Sequence, residues 1–403
     1  MYQLVSDCRS CGSGNLTEVL DLGAQPPANH FRFSGEPPPD PVPLRLCQCQ
    51  SCSTVQITAS ISPRDLFSDY LWVTGTSKAA LSYSKTFYNQ VTLAVSTLNR
   101  PDQRGPGSVI EIASNDGTFL HRFQQGGWRV LGIEPARNIA RSAVTNGVPT
   151  VAEFFDAEFA DHLVADHGPA DVVVARNVIP HVENVHSVVA GLATLAGEDG
   201  ILVVEIHSAE VILRELHYDS IYHEHLFYFS LGTLTGLFQK HGLYPFDIFE
   251  SPISGGSLAV FFSRRQHPTS SRHEEAVERE HQHETNSSSR WLAFADSAIE
   301  HAHALKEVVE RYSNSRTIIG YGASARSSTM LNFAGITNSE VAVIIDQNEL
   351  KQGRLTPGTD IPVVSSEVGL CQLRPEDAVL LLAWNFEDEI VAQLRSSGFQ
   401  GDI

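Results

Sequence analysis

The chain predicts an α/β protein built in three regions, and three observations carry that reading. Between residues 108 and 207, four short apolar segments that end in polar residues alternate with helical ones. A second strand, glycine-loop and helix unit stands at 317–328, and two Cys-x-x-Cys pairs staple a proline-rich start. At 403 residues the chain is too long for one ordinary core. Its 42% hydrophobic and 19% charged residues are those of a globular protein. A net charge of −19 argues against a general nucleic-acid or anionic-membrane binder. No early apolar run resembles a signal peptide and no apolar stretch is long enough to span a bilayer, so a cytoplasmic location is expected.

The first seventy or so residues are rich in Pro, Cys and short turns. LGAQPPANHF and SGEPPPDPVP read as extended or looping segments that bury little apolar surface, so a staple is expected. Five of the six cysteines lie here, at 8, 11, 47, 49 and 52, and Cys371 stands alone. Cys8 and Cys11 form one knuckle and Cys49 and Cys52 another. Two such pairs complete a tetrahedral zinc site with no position open to substrate, so the ion is structural; Cys47 is a spare thiol. Removing the ion is expected to unfold or detach this region.

The central pattern is SVIEIAS, RVLGIEP, DVVVARNV and GILVVEIH, each a buried strand, with helices fitting at 137–146 and 185–196. YPFDIFESP and SLAVFFSRR read as a closing pair of strands around SGG. Together these predict a mostly parallel sheet with helices on both faces. Residues 266–290 are polar and read as a solvated helix or linker, followed by helical periodicity through WLAFADSAIEHAHALKEVVERY. TIIGYGASA, VAVIID and AVLLLAWN then form a second α/β unit. The expected boundaries are 1–75, 76–265, 266–290 and 291–403.

VIEIASNDGTFL runs from a strand through a loop of small and polar residues into a helix. Glu111, Ala113, Ser114, Asn115, Asp116 and Gly117 line that turn, and its two acids favour a cationic or amino-acid-bearing ligand over a diphosphate. Glu134, about twenty residues on, is placed for the two hydroxyls of a ribose. The combination suits S-adenosylmethionine. The later loop, with Gly320, Gly322 and Ala325, is a GxGxxA pattern followed by Asp346, so an NAD-dependent oxidoreductase is a rival reading. With no acid in its turn, that loop can cradle phosphate, and Arg326, Lys351 and Arg354 can add charge-assisted contacts. Beyond GILVVEIH lies YDSIYHEHLFYFS, which carries Tyr222, His223, Glu224 and His225, groups able to move or orient protons.

The order of the two CxxC pairs, LGAQPPANHF, EIASNDGTFL, YDSIYHEHLFYFS, GYGASA, KQGRLTPGTDIP and AWNFEDEI resembles the S-adenosylmethionine-dependent sugar C-methyltransferases of deoxysugar pathways. The resemblance covers essentially the whole chain. It implies an N-terminal zinc-binding domain, a central class I methyltransferase Rossmann-like domain and a C-terminal Rossmann-like domain that holds a nucleotide sugar. The implied substrate is a 4-keto-6-deoxysugar on a nucleoside diphosphate, expected to be dTDP, methylated at the carbon beside the ketone, usually C3; C5 also flanks it. By that likeness His225 is the general base, with Tyr222, Glu224 and His181 as catalytic neighbours. Glu111, Ala113, Asn115, Asp116, Gly117, Glu134 and Asn177 would hold the methyl donor. Tyr70, Gly322, Ala323, Ser324, Arg326, Lys351 and Arg354 would hold the sugar nucleotide, with Cys8, Cys11, Cys49 and Cys52 on zinc. Tyr70 and Trp72 are expected to cover the site or to pack between domains.

Arg326 stands where many relatives have lysine, and Ser254 where many have histidine before GGSL. A ketone at C4 acidifies the neighbouring C–H, so a base that titrates near neutrality can generate an enolate. Glu224 could then orient an imidazole, and Tyr222 or His181 could donate to the enolate oxygen. A zinc-ribbon binding module is the non-enzyme alternative, and net acidity counts against it. Methyl transfer to oxygen or nitrogen would not need such a base cluster. With no coiled-coil seam, a monomer is expected.

Overall fold

The computed structural model describes residues 2–68, 73–98 and 106–403. Tyr70 and Trp72 lie outside the described residues. The N-terminal region contains β1 (Tyr2–Leu4), β2 (Leu16–Gln25), β3 (Val42–Cys49), β4 (Val55–Ile57) and β5 (Ala59–Ile61). Its sequence reads as loops, yet β2 and β3 form a long antiparallel pair with two register shifts. Those irregularities break the period-2 alternation that would have announced the strands. β1 pairs with β5 in a separate ribbon.

The central sheet comprises β6 (Ser108–Ile112), β7 (Arg129–Ile133), β8 (Thr150–Val151), β9 (Val172–Arg176) and β10 (Ile201–His207), together with β12 (Tyr244–Ser251) and β13 (Ser257–Ser263). The strand order is β12-β13-β10-β9-β6-β7-β8. β6 to β10 run parallel, and β12 and β13 close one edge as an antiparallel pair. Every residue of β10 and β13 is buried, because helices cover both faces. The expected helices form over Arg137–Thr145 and Val185–Ala196. The Asn184 side chain caps the second by accepting from the Ser187 N–H, and Gly197 ends it at φ 59°.

The short strand β11 (Phe227–Tyr228) leaves the central region and pairs with β4, giving the four-stranded order β11-β4-β3-β2. The N-terminal sheet is therefore completed by residues immediately after His225. Of the two readings for the 266–290 segment, helix or linker, the structure takes the helix. It forms a helix over Ser271–Gln282, then enters a 26-residue helix, Ser288–Ser313, so the expected boundary at 290/291 falls inside a continuous helix. Buried Glu280 accepts the backbone N–H groups of Leu231 and Gly232, which start the Leu231–Gln239 helix. Polar residues read from sequence as solvent-facing are thus partly spent on capping another helix.

The C-terminal sheet is all parallel, with order β16-β15-β14-β17, from β14 (Ile318–Tyr321), β15 (Val341–Ile345), β16 (Val363–Val364) and β17 (Ala378–Leu381). Gly322 at φ +100° ends β14, and a Cβ there would overlap Ala383. Only glycine fits that turn. Among the described residues, no helix is long and apolar enough to cross a membrane.

Candidate active site

The four sulfurs of Cys8, Cys11, Cys49 and Cys52 lie within 4.8 Å of one another. Cys8 and Cys52 are 3.6 Å apart, and Cys11 and Cys49 3.5 Å. Tetrahedral zinc with bonds of about 2.3 Å needs sulfur separations near ~3.8 Å, so the cluster fits the ion. Each knuckle closes through a residue in the left-handed region, Gly12 at φ 75° and Ser53 at φ 60°. Cys47 lies outside the cluster and is buried, with its thiol pushed up to about 11 by that burial.

At the carboxyl ends of the central strands, the loop after β6 is tightly wound. Ala113, Asn115 and Gly117 have φ of 52°, 51° and 78°, and Asn177, after β9, has 49°. A Cβ at Gly117 would meet the Val148 side chain at 2.9 Å. The buried Ser114 hydroxyl has no hydrogen-bond partner among the described residues. Glu134, at the end of β7, accepts from the Asn115 N–H at 2.8 Å and the Ala136 N–H at 2.9 Å, which braces the loop. Asp116 accepts from the Gly75 N–H, and the Asn115 side-chain oxygen from the Thr74 N–H, so the 74–76 turn caps the loop.

The expected acidic turn differs in one respect. Glu111 is 2% exposed and faces Arg176 at 3.4 Å, while the same guanidinium binds Glu205 at 2.8 Å and lies 3.2 Å from the Phe119 ring centroid. Burial lifts the Glu111 carboxyl to about 7 against the opposing pull of Arg176. That carboxyl faces the Arg176 guanidinium inside the sheet. Arg176 was not singled out from sequence, because which acids it joins depends on strand order.

The Tyr-His-Glu-His segment gathers a cluster of groups able to move or orient protons. His225 Nδ1 lies 3.0 Å from the Ser220 carbonyl, which can only accept, so Nδ1 carries the proton. Nε2 is then the lone-pair nitrogen, and it accepts the Tyr222 hydroxyl at 2.9 Å. The His181 ring, turned into place by the Ile179–His181 turn, packs 4.7 Å from His225, centroid to centroid, and donates Nδ1–H to the Glu224 carbonyl at 2.7 Å. Burial holds His181 down at about 4, holds His225 well below the ordinary imidazole range and raises the Tyr222 phenol. The cluster is therefore a neutral imidazole whose acceptor nitrogen faces a protonated phenol. The Glu224 carboxylate accepts from Asn29 at 2.7 Å. His223 turns away, donating Nε2–H to the Val42 carbonyl at 3.1 Å.

The GYGASA loop packs against this cluster from the C-terminal side. The Arg326 guanidinium forms a bidentate pair with Asp219 at 3.1 and 2.8 Å, reaches the Ser254 carbonyl at 2.9 Å and stacks 4.4 Å from the Trp384 ring. Trp384 itself donates to Asp219 at 2.8 Å. Arg326 is thus held beside the GYGASA loop by protein partners. Lys351 is buried and donates to the Ala323 carbonyl at 2.8 Å, and Arg354 stacks 4.5 Å from the Phe33 ring. Ser324 caps its helix, and Asp346 accepts from the Ala323 N–H at 2.7 Å. Asp219, Trp384 and Asn29 were not singled out from sequence. Asp219 lies inside the reactive motif, but its partners come from 107 and 165 residues away.

Three family descriptions match successive parts of the chain: a zinc binding domain over residues 8–67, a methyltransferase domain over 85–246 and a C-methyltransferase C-terminal domain over 252–401. A curated relative, C-methyltransferase NovU of Streptomyces niveus, is 31% identical over 396 residues, covering 96% of this chain and 91% of that protein. The chain belongs to the C-methyltransferase family. It is an enzyme of methyl transfer, and its cysteine cluster lies wholly within the zinc-binding match. Among solved structures, magnesium protoporphyrin IX methyltransferase (ChlM) of Synechocystis PCC 6803 with bound SAM aligns at a TM-score of 0.34 and 14% identity, over 46% of this chain and 81% of that one. A SAM-dependent methyltransferase of Archaeoglobus fulgidus aligns at 0.32 and 16%, over 42% and 93%. Both cover less than half of this C-methyltransferase.

Proposed function

We propose that this C-methyltransferase methylates a ring carbon, C3, beside the C4 ketone of a dTDP-linked 4-keto-6-deoxysugar by base-catalysed enolate formation. The enzyme works in the cytoplasm as a monomer. The observation that carries the reading is the His225–Tyr222 pair, an acceptor nitrogen and a hydroxyl donor at 2.9 Å beside the ends of the central strands. S-adenosylmethionine is the donor, and its sulfonium supplies an electrophilic methyl group. The 113–117 turn, the orphaned Ser114 hydroxyl, Glu134 and Asn177 form the polar cradle for it; Glu111 and Asp116 support that cradle through Arg176 and the 74–76 turn.

The chain's own groups divide the work. His225 takes the C3 proton at Nε2, where the Ser220 carbonyl has already fixed the tautomer and can stabilise the imidazolium that forms. The Tyr222 hydroxyl moves from that nitrogen to the C4 oxygen and donates to the developing enolate. The His181 ring walls the pair, and its depressed basicity keeps it neutral beside the imidazolium. Residues 1–75 hold the zinc, 76–265 the donor and 291–403 the nucleotide sugar. Gly322, Ala323, Ser324 and the helix they open approach the diphosphate, with Arg326, Lys351 and Arg354 around them.

The test is product mass and NMR after mixing the enzyme with S-adenosylmethionine and a panel of nucleotide-linked 4-keto-6-deoxysugars. A new carbon-bound methyl at C3 with loss of its ring proton, abolished in His225→Ala, is the expected result. A methyl at C5 moves the site of attack. A methyl on oxygen, or only an NADH-dependent absorbance change, overturns the proposal.

A further inference from the structure

Glu224 occupies an unusual position among the acids near the site. Its backbone carbonyl takes the His181 Nδ1–H, while its side chain, in a residue 3% exposed, reaches the N-terminal domain. There Asn29 meets it at 2.7 Å across 195 residues of sequence, and because a carboxylate accepts, the Asn29 amide nitrogen is the donor. The segment that carries Asn29 is itself wedged between domains. Phe31 lies 5.4 Å beneath the Lys351 ammonium, and a Cβ on Gly358 would meet Pro26 at 2.9 Å. Charged and titratable groups around Glu224 among the described residues include the buried Lys351, which feels its charge and that of Asp346, the Tyr222 phenol, which its charge helps keep protonated, and the His181 ring at its carbonyl.

We propose that Asn29 of the N-terminal domain is a positioning residue for methyl transfer, holding the Glu224 carboxylate and, through the Glu224 carbonyl that takes the His181 Nδ1–H, the ring packed against His225. This rests on the base-catalysed reading above. A neutral amide suits this role, because it supplies a hydrogen bond without adding a charge that would cancel the field of Glu224. The contact also gives the zinc-binding domain a part in the chemistry. Asn29 lies between β2 and β3, the pair whose second strand ends at the zinc ligand Cys49. The N-terminal domain grips the same segment twice more, through the Val42 carbonyl at His223 and the Ile57 N–H at the Leu226 carbonyl.

The test compares Asn29→Asp and Asn29→Ala with the wild-type enzyme in pH–rate profiles, with donor affinity measured by calorimetry. Asn29→Asp is nearly isosteric but sets two carboxylates at hydrogen-bond distance, so the pair holds one shared proton. Turnover should fall on the order of 10-fold at pH 8 and recover toward wild type as the pH is lowered and that proton is bound. Asn29→Ala, which adds no charge, should lower kcat several-fold at every pH, with donor affinity within about twofold. A wild-type enzyme that methylates carbon, together with an Asn29→Asp profile parallel to wild type, overturns the positioning role alone. A wild-type enzyme with no carbon methylation overturns the base-catalysed reading, and the positioning role with it.

Discussion

Replacing Tyr222 with Phe isolates the contact on which the proposed chemistry depends. The hydroxyl donates to His225 Nε2 at 2.9 Å, and the two rings lie 4.1 Å apart at 34°, so removing one oxygen leaves the packing in place. In the wild type this hydrogen bond stabilises neutral His225, since an imidazolium has no lone pair at Nε2 to receive it. A neutral hydrogen bond is worth about 0.5–1.5 kcal/mol net, or roughly 2- to 13-fold in the protonation equilibrium of the imidazole. Tyr222→Phe should therefore make His225 easier to protonate by that factor, visible in the imidazole resonances of selectively labelled protein as pH is lowered. Turnover should move the opposite way. Loss of a donor to the enolate oxygen costs on the order of 10²–10³ in kcat, with donor affinity unchanged. A His225 that becomes harder to protonate, or a turnover within about threefold of wild type, would refute the assignment of Tyr222 as the hydroxyl partner.

Two further outcomes test the buried charges. Arg176→Met leaves Glu111 and Glu205 buried without their shared cation, and breaking such a pair costs roughly 3–5 kcal/mol; urea unfolding at pH 8 should show it, and a loss under ~1 kcal/mol would mean that the triad carries little. His217 and His223 are both held at about 4 by burial, with Arg326 also lowering His217, against about 6.5 in the unfolded chain. The unfolded chain therefore takes up protons first as pH falls, so the stability these two confer is complete above about pH 6.5 and is lost between there and pH 4, at about 1.4 kcal/mol per pH unit each. Urea titrations at pH 7, 6 and 5 measure the slope. A stability that stays flat from pH 7 to 5 would contradict the depressed values of both rings.

Much of the architecture was legible because it rests on local patterns. SVIEIAS, RVLGIEP, DVVVARNV and GILVVEIH announce buried parallel strands by being apolar throughout, and the strands lie where those segments fall. The cysteine cluster was legible for a similar reason, since a CxxC knuckle declares its geometry within four residues. The N-terminal strands were not, because two bulges disrupt their alternation and one partner strand, β11, is borrowed from about 170 residues away. The polar 266–290 segment could be read as a helix or linker, but composition cannot show that Glu280 faces the exposed amides of another helix.

The same distinction explains the reactive segment. Its residue types could be read, but its wiring could not. Tyr218, Asp219 and Ile221 are held by His301, by Arg326 and Trp384, and by Thr329, all from the C-terminal region. His223, Glu224 and the residues after His225 are held by Val42, Asn29 and β4 from the N-terminal region. Tyr222 and His225, between these two sets of anchors, bond chiefly to each other and to Ser220. A segment of irregular backbone can keep a donor and an acceptor at 2.9 Å only if its flanks are fixed, because each unrestrained residue retains about 1–2 kcal/mol of backbone entropy that favours other geometries. Fixing the two flanks from opposite domains makes the spacing of the Tyr222–His225 pair depend on both domains being docked, so a weakness introduced at either Asn29 or Arg326 should reach this hydrogen-bonded pair without touching it.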